Sequence, residues 1–283
     1  MSFNEIAKKI QESAGISPDS LPVLESRLKE ISTQRKIIHR EIFSDWSRIV
    51  HDFNPIHYDE EKAKSLGFLT TPCYGSLLAS HSEQYALKFL KILNTYSQKP
   101  LKYSAHSLQF KEPVYPNDSL SWQIEDVSST NNSLELKIIG KAGEKSAVLS
   151  GIKFSDSLEL PSQEEETFFS STNSVDPHNI NQYYKCLQDS NCSIPIMYPA
   201  SFIPSTLLEL LSEKTGKQEG VYLSLNLKFH SPPKFGKIKT VLFKPKTRKI
   251  QDSYFYSFKT RSLQDSPILS GEIKCVSKYN LIC

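Results

Sequence analysis

Two short segments of this chain recur at nearly the same spacing. Ser107-Leu108-Gln109-Phe110 is echoed by Asn226-Leu227-Lys228-Phe229 at an offset of 119, and Leu149-Ser150-Gly151 by Leu269-Ser270-Gly271 at an offset of 120. A proline follows the Phe in both copies (Pro113, Pro232), and strand-like runs lie between each pair of anchors. Upstream of each copy a helix opens, at Gly75-Ser76 in the first and at Ala200-Ser201 in the second. A fixed period of this size implies one supersecondary unit made twice. A chain of 283 residues has room for two such units packed on each other.

The pattern within the first copy sets the fold class. Leu77, Leu78, Ala79, Tyr85, Ala86, Phe89, Leu90 and Leu93 cover most of the circumference of a helix running from about Ser76 to Leu93. A helix apolar on all sides must be wrapped by other structure. Strand-like alternation follows over Ser104–Phe110, Leu120–Val127, Ser133–Ile139 and Ala147–Phe154, with polar turns at Tyr115-Pro116-Asn117-Asp118 and Thr130-Asn131-Asn132. One long helix followed by antiparallel strands is an α+β order.

Residues 1–39 read as an N-terminal helical extension, with Ile6, Ile10, Leu21, Leu24, Leu28 and Ile31 at helical steps and a break at Ser17-Pro18-Asp19. Packing on the body is the favoured reading, over docking a partner. Residues 40–155 are the first domain. Residues 156–178, which hold Glu164-Glu165-Glu166, read as a linker, and 179–283 as the second domain.

Composition excludes several classes. A net charge of +3 does not argue for nucleic acid. No apolar run reaches the roughly 18 residues of a membrane span, and MSFNEIAKKIQESAG has no apolar signal core. Five cysteines (Cys73, Cys186, Cys192, Cys275, Cys283) without CxxC spacing favour reduced thiols and a cytoplasmic location, and no Cys/His cluster has zinc-ligand spacing. Ten Lys/Arg against the single acid Asp252 occupy 228–261. The bland explanation is the wet face of a half-buried strand around Lys237-Ile238-Lys239. The sharper one is attraction for coenzyme A phosphates or an acidic carrier protein.

The chemistry concentrates in Asp52-Phe53-Asn54-Pro55-Ile56-His57. A helix carrying Trp46, Ile49, Val50 and Phe53, with Ser44 able to cap it, stops at the Asn-Pro break. Asp59 can cap a short helix over Glu60–Leu66 that Gly67 ends. The loop therefore brings a carboxylate and an imidazole onto one tight turn, as acid/base work requires. In the second copy Asp189-Ser190-Asn191 survives, but Ile194 stands where His57 would fall, which implies a single active site per chain.

Together with Gly67-Phe68, Pro72, Gly75, Ser80 and Leu108-Gln109-Phe110-Lys111-x-Pro113-Val114, this stretch resembles the MaoC-like (R)-specific enoyl-thioester hydratases and (3R)-hydroxyacyl-thioester dehydratases. The resemblance implies a double hot-dog fold: each copy wraps an antiparallel sheet around one long helix, and the copies pack as a pseudo-dimer. It implies a hydro-lyase of fatty acid metabolism in which Asp52 and His57 activate water for addition to a trans-2-enoyl thioester, or run the reverse dehydration. The substrate would ride on coenzyme A or acyl carrier protein, with no cofactor, no metal, no membrane span and an acyl tunnel between the copies. Gly75 would offer a backbone N–H to the enolate oxygen at a helix N-terminus and let the thioester approach closely. Asn54 would pin the loop and Ser80 would hydrogen-bond near the pair. Tyr74 departs from the family's His and alters the packing beside Gly75, while His51 and His81 match no family role. Two other outcomes remain open: a non-catalytic acyl-thioester binder, and a thioesterase using Glu83. A homodimer of double hot-dogs is compatible with the sequence.

Overall fold

A computed structural model describes residues 2–97, 100–130, 133–159, 167–188, 195–215, 220–243, 253–264 and 266–276. Its centre is one ten-stranded antiparallel sheet. The first half supplies β1 (Arg35–Ile37), β2 (Lys102–Phe110), β3 (Ser119–Thr130), β4 (Ser133–Ala142) and β5 (Lys145–Ser155). The second supplies β6 (Thr167–Val175), β7 (Val221–Phe229), β8 (Gly236–Phe243), β9 (Ser253–Ser262) and β10 (Pro267–Val276). The strand order is β1-β3-β4-β5-β2-β7-β10-β9-β8-β6, so the second half repeats the first in reverse about the β2–β7 seam.

The register at that seam matches the repeat. Ser107 lies opposite Asn226, its own counterpart in the repeat, and the 119-residue offset carries the pair Ala105–Lys228 onto Gln109–Ser224. A pseudo-twofold axis therefore passes between Ser107 and Asn226. The copies join as one continuous sheet through their equivalent strands.

Seven helices accompany the sheet among the described residues. α1 (Phe3–Ala14) is held by a Ser2/Glu5 capping box and stops at Gly15, whose φ of 61° is left-handed. It packs with α2 (Leu21–Ser32) on β3, and Ser32 hydrogen-bonds the hydroxyl of Tyr85 at 2.5 Å. The extension is thus packed on the body. α3 (Ile42–Val50) and α4 (Glu60–Ser65) flank the Asp-x-Asn-Pro loop. Ser44 lies inside α3 and does not cap it, whereas Asp59 caps α4 by accepting the Lys62 N–H. α5 (Gly75–Tyr96) is buried over Ser76–Ala86 on every side, as its apolar circumference requires. The second half adds α6 (Pro177–Cys186) and α7 (Ile203–Thr215), the latter after a 3₁₀ turn at Pro199–Phe202.

Two expectations change. Arg35–Ile37 of the supposed all-helical extension is strand β1 on β3, and Thr167–Val175 of the supposed linker is strand β6 on β8. The two strands occupy equivalent sheet edges. The acidic run Glu164-Glu165-Glu166, the residues Asp189, Ser190, Asn191 and Ile194, and Asn131-Asn132 lie outside the described residues. So do Cys192, Cys283, Lys244, Lys246, Arg248, Lys249 and Asp252. On β8, Lys237 and Lys239 are exposed on either side of buried Ile238, as a half-buried strand demands. Lys228 pairs with Glu159 at 3.1 Å. No helix among the described residues is long and apolar enough to cross a membrane.

Gly271 has no room for a side chain, since a Cβ there would come within 1.8 Å of the Asn226 carbonyl oxygen on the seam strand. Gly271→Ala is expected to lower stability by about 3 kcal/mol through forced strand displacement, read as a fall in the urea midpoint with the slope retained.

Candidate functional site

The loop at the end of α3 is shaped by backbone conformation before any chemistry. His51 closes α3 in the left-handed region (φ 55°), a conformation that strains any residue with a Cβ. It turns the chain so that Asp52 goes inward, with the Asp52 N–H donating to Ser47 O at 3.1 Å. His51 itself rests edge-on against Phe202 of the second half. Asp52 Oδ1 accepts the Asn54 N–H at 3.2 Å, and Asn54 Oδ1 accepts the Ile56 N–H at 3.4 Å. The Asn54 amide then donates to the Gly220 carbonyl at 2.7 Å, fastening the loop to the other half.

His57 Nδ1 lies 2.9 Å from the Pro72 carbonyl. A carbonyl only accepts, so Nδ1 carries the proton and the neutral ring presents Nε2 as a bare acceptor. Tyr74 stacks on this ring at 3.8 Å and is itself packed edge-on by Phe43.

Asp52, Asn54 and His57 are all buried, at 1%, 2% and 4% exposure. Asp52 Oδ2 and His57 Nε2 nevertheless have no hydrogen-bond partner among the described residues. Buried polar atoms are rarely left so, and this one loop carries one on each of two titratable groups. Burial pushes the Asp52 carboxyl up to about 7, against the lowering effect of the Asn54 N–H. Burial likewise pushes His57 down to about 4, opposed by the bond to Pro72. Between those values the site holds a protonated acid and a free base.

Beside them is a cavity of about 240 Å³ lined by His57, Gly75, Leu78, Phe110, Val114 and Tyr222 among others. Its two walls are the chain leaving β2 (Phe110–Val114) and the chain entering β7 (Gly220–Leu223). Asp52 is not among the lining residues, but its charge when ionised raises both Tyr74 and Tyr222. A larger groove of about 830 Å³ crosses the seam at Ser107 and Asn226. Lysines and glutamates both line it, and it includes none of these residues.

The sequence-derived site residues fall into place unevenly. Asn54 pins the loop as expected. Gly75 opens α5 beside His57, but the space left by its missing Cβ is filled by the Tyr222 ring, 2.5 Å from where that Cβ would stand. Ser80 donates to Ser76 O and accepts from the Tyr183 hydroxyl, so its bonds join α5 to the second half. Glu83 is buried and pushed up to about 8 by desolvation. It accepts the Met197 N–H at 2.9 Å and does not line the cavity. His81 is buried and driven down to about 3. Burial raises the Cys73 thiol far above its ordinary range, which removes it as a nucleophile. Gly220 and Tyr222 were missed by sequence reading, although the repeat relates Tyr222 to Tyr103 by the same offset of 119.

A five-stranded sheet wrapping one long helix, made twice about a seam, with the Asp52–His57 loop at one end of it, defines a double hot-dog protein. Residues 31–147 match the MaoC-like domain model. The region is 32% identical over 100 residues to a tomato (Solanum lycopersicum) protein named mitochondrial 3-hydroxyacyl-[acyl-carrier-protein] dehydratase FERN, covering 35% of this chain and 54% of that one. It is 24% identical over 117 residues to the Arabidopsis thaliana mitochondrial 3-hydroxyacyl-[acyl-carrier-protein] dehydratase, covering 41% and 66%. The chain thus spans between half and two thirds of the length of these relatives. A conserved protein of Mycobacterium tuberculosis described as a double hotdog fold superposes with a TM-score of 0.62 at 9% identity, covering 86% of this chain and 93% of the other. That likeness establishes the fold.

The raised Asp52 value has a consequence for stability. A carboxyl whose folded value (about 7) lies above its unfolded value (3.8) favours folding when protonated, and that contribution is lost as pH rises from about 4 through 7. His57, lowered to about 4, acts oppositely, its contribution being lost as pH falls from 6.5 toward 4. Asp52→Asn is therefore expected to be more stable than the wild type at pH 8, by a few kcal/mol at about 1.4 kcal/mol per unit. The difference should shrink toward pH 5, as checked by urea unfolding at both values.

Proposed function

We propose that this chain is a hydro-lyase that adds water to trans-2-enoyl thioesters to give (3R)-hydroxyacyl thioesters, or removes it in the reverse direction. The observation that carries the reading is the pair of orphaned buried atoms, Asp52 Oδ2 and His57 Nε2, beside an apolar cavity at the start of α5. In hydration, His57 Nε2 takes a proton from water as the oxygen bonds to Cβ. The pair of electrons moves through Cα to the thioester oxygen, and Asp52 then delivers its proton to Cα as the enolate collapses. One water is consumed, and the proton on His57 returns to Asp52 to reset the site. The shifts suit these roles, because the acid must begin protonated and the base bare. The (3R) outcome rests on the family resemblance.

The curated relatives are named for acyl-carrier-protein substrates, which supports a carrier-bound thioester, with coenzyme A as the other carrier. The chemistry asks for no redox cofactor or metal. The buried thiols Cys73, Cys186 and Cys275 are free and suit a reducing compartment, the cytoplasm by sequence or the mitochondrion by the relatives' names.

The test is to incubate the protein with crotonyl-CoA, longer trans-2-enoyl-CoAs and the matching carrier-protein thioesters, following enoyl absorbance and free thiol together. Loss of absorbance without thiol is expected. Thiol release would instead indicate a thioesterase, and silence on every substrate a binder. kcat/KM should rise with pH near about 4 and fall again near about 7. Asp52→Asn and His57→Ala should each lower kcat by about a hundredfold or more with the fold retained; activity kept in both would overturn the assignment.

A further inference from the structure

We propose that Tyr222, supplied by the half that lacks the histidine, donates its hydroxyl hydrogen to the thioester carbonyl oxygen. The inference rests on the hydratase reading and adds a residue to it.

Tyr222 stands where that charge would develop. It lines the same cavity as His57 and Gly75. Its ring lies on Gly75 so closely that a Cβ there would meet a ring carbon at 2.5 Å. Its oxygen accepts the Ser76 N–H, a free donor of the first turn of α5, at 2.9 Å. Tyr74, the residue before α5, makes no side-chain capping bond. The phenol therefore covers the helix N-terminus, and a carbonyl entering the cavity meets the phenol rather than the Gly75 backbone. A hydroxyl that accepts from a helix amide is polarised to donate more strongly. Burial and the nearby Asp52 charge raise the phenol well above its ordinary range. It stays neutral and keeps its proton to offer.

The pseudo-twofold supplies an internal control. The offset of 119 relates Tyr222 to Tyr103, while the helix opening that Gly75 marks in the first half falls at Ala200 in the second, an offset of 125. Tyr103 has its hydroxyl bonded to His106 Nδ1 at 2.8 Å. At the end of the seam without His57, alanine stands at the helix opening and the tyrosine hydroxyl bonds a histidine ring nitrogen in place of a helix amide. At the end with the acid/base pair, the glycine makes room for the tyrosine over a helix N-terminus. The two features vary together.

The variant is Tyr222→Phe, which keeps the ring on Gly75 and removes only the hydroxyl. With crotonyl-CoA its kcat should fall about a hundredfold, the typical effect of losing one donor to a developing oxyanion, with KM little changed. A second readout separates donation from capping. An enoyl thioester bound to Asp52→Asn should absorb at longer wavelength than in solution, because its carbonyl is polarised, and adding Tyr222→Phe should diminish that shift. A capping role alone would lower the melting temperature and leave both readouts in place. Should the Phe variant not fold, Gly75→Ala serves instead. Its Cβ displaces the phenol with the hydroxyl intact, and it should show the same loss of kcat and band shift. Wild-type kcat and a full band shift in the folded variant would overturn the proposal while the hydratase reading stands. A wild-type protein inactive on every enoyl thioester would overturn both.

Discussion

The antiparallel pairing of β2 with β7 fixes where every functional group can be. Because Ser107 faces Asn226, its own counterpart, the end of β2 that leads into Phe110–Val114 must run beside the start of β7 at Gly220–Leu223. Those two segments are the walls of the 240 Å³ cavity. The first half brings His57 and the N-terminus of α5 to that cavity, with Asp52 buried on the His57 loop. The second brings the carbonyl that holds Asn54 and the phenol that covers Gly75. Neither half contains the site, although one half contains the whole acid/base motif.

Burial then sets the chemistry. In water at neutral pH the carboxyl would be ionised and the imidazole close to its own titration. Enclosed at 1% and 4% exposure, each with one atom unpartnered, they shift toward their uncharged forms. The hydrogen bonds that are made fix direction. Pro72 holds the His57 tautomer, and the Asn54 N–H holds one carboxyl oxygen of Asp52. The atoms left over are the two the reaction would use.

What the sequence disclosed and what it hid divide along local and non-local lines. The Asp-x-Asn-Pro turn, the Asp59 cap and the all-round apolar α5 depend on neighbours within a few residues and were readable. The strand β1 is three residues long, and β6 is the polar run TFFSSTNSV, so neither carries a clear alternation; both become strands because an edge of β3 or β8 awaits them. Ser80 looked like a site residue by motif, yet its hydroxyl serves Tyr183 across the halves. Tyr222 stood out in no motif because its place over Gly75 is created by strand pairing between residues more than a hundred positions apart. The repeat held the one available signal, since the same offset that aligns the anchors aligns Tyr222 with Tyr103.

The pseudo-twofold also means that the molecule is electrically lopsided along its seam. At one end sit groups whose ordinary values have been displaced by solvent exclusion, and these strain the fold whenever pH moves away from the narrow range that suits both. His106, one residue from the middle of the seam, is also pushed down by burial, to about 3, but it is enclosed by Tyr103, Ser82 and Ser150 with both ring nitrogens bonded. Water exclusion thus does two different things within the first half: at Asp52 and His57 it leaves one atom of each without a partner among the described residues, and around His106 it closes a polar knot in which both ring nitrogens are bonded.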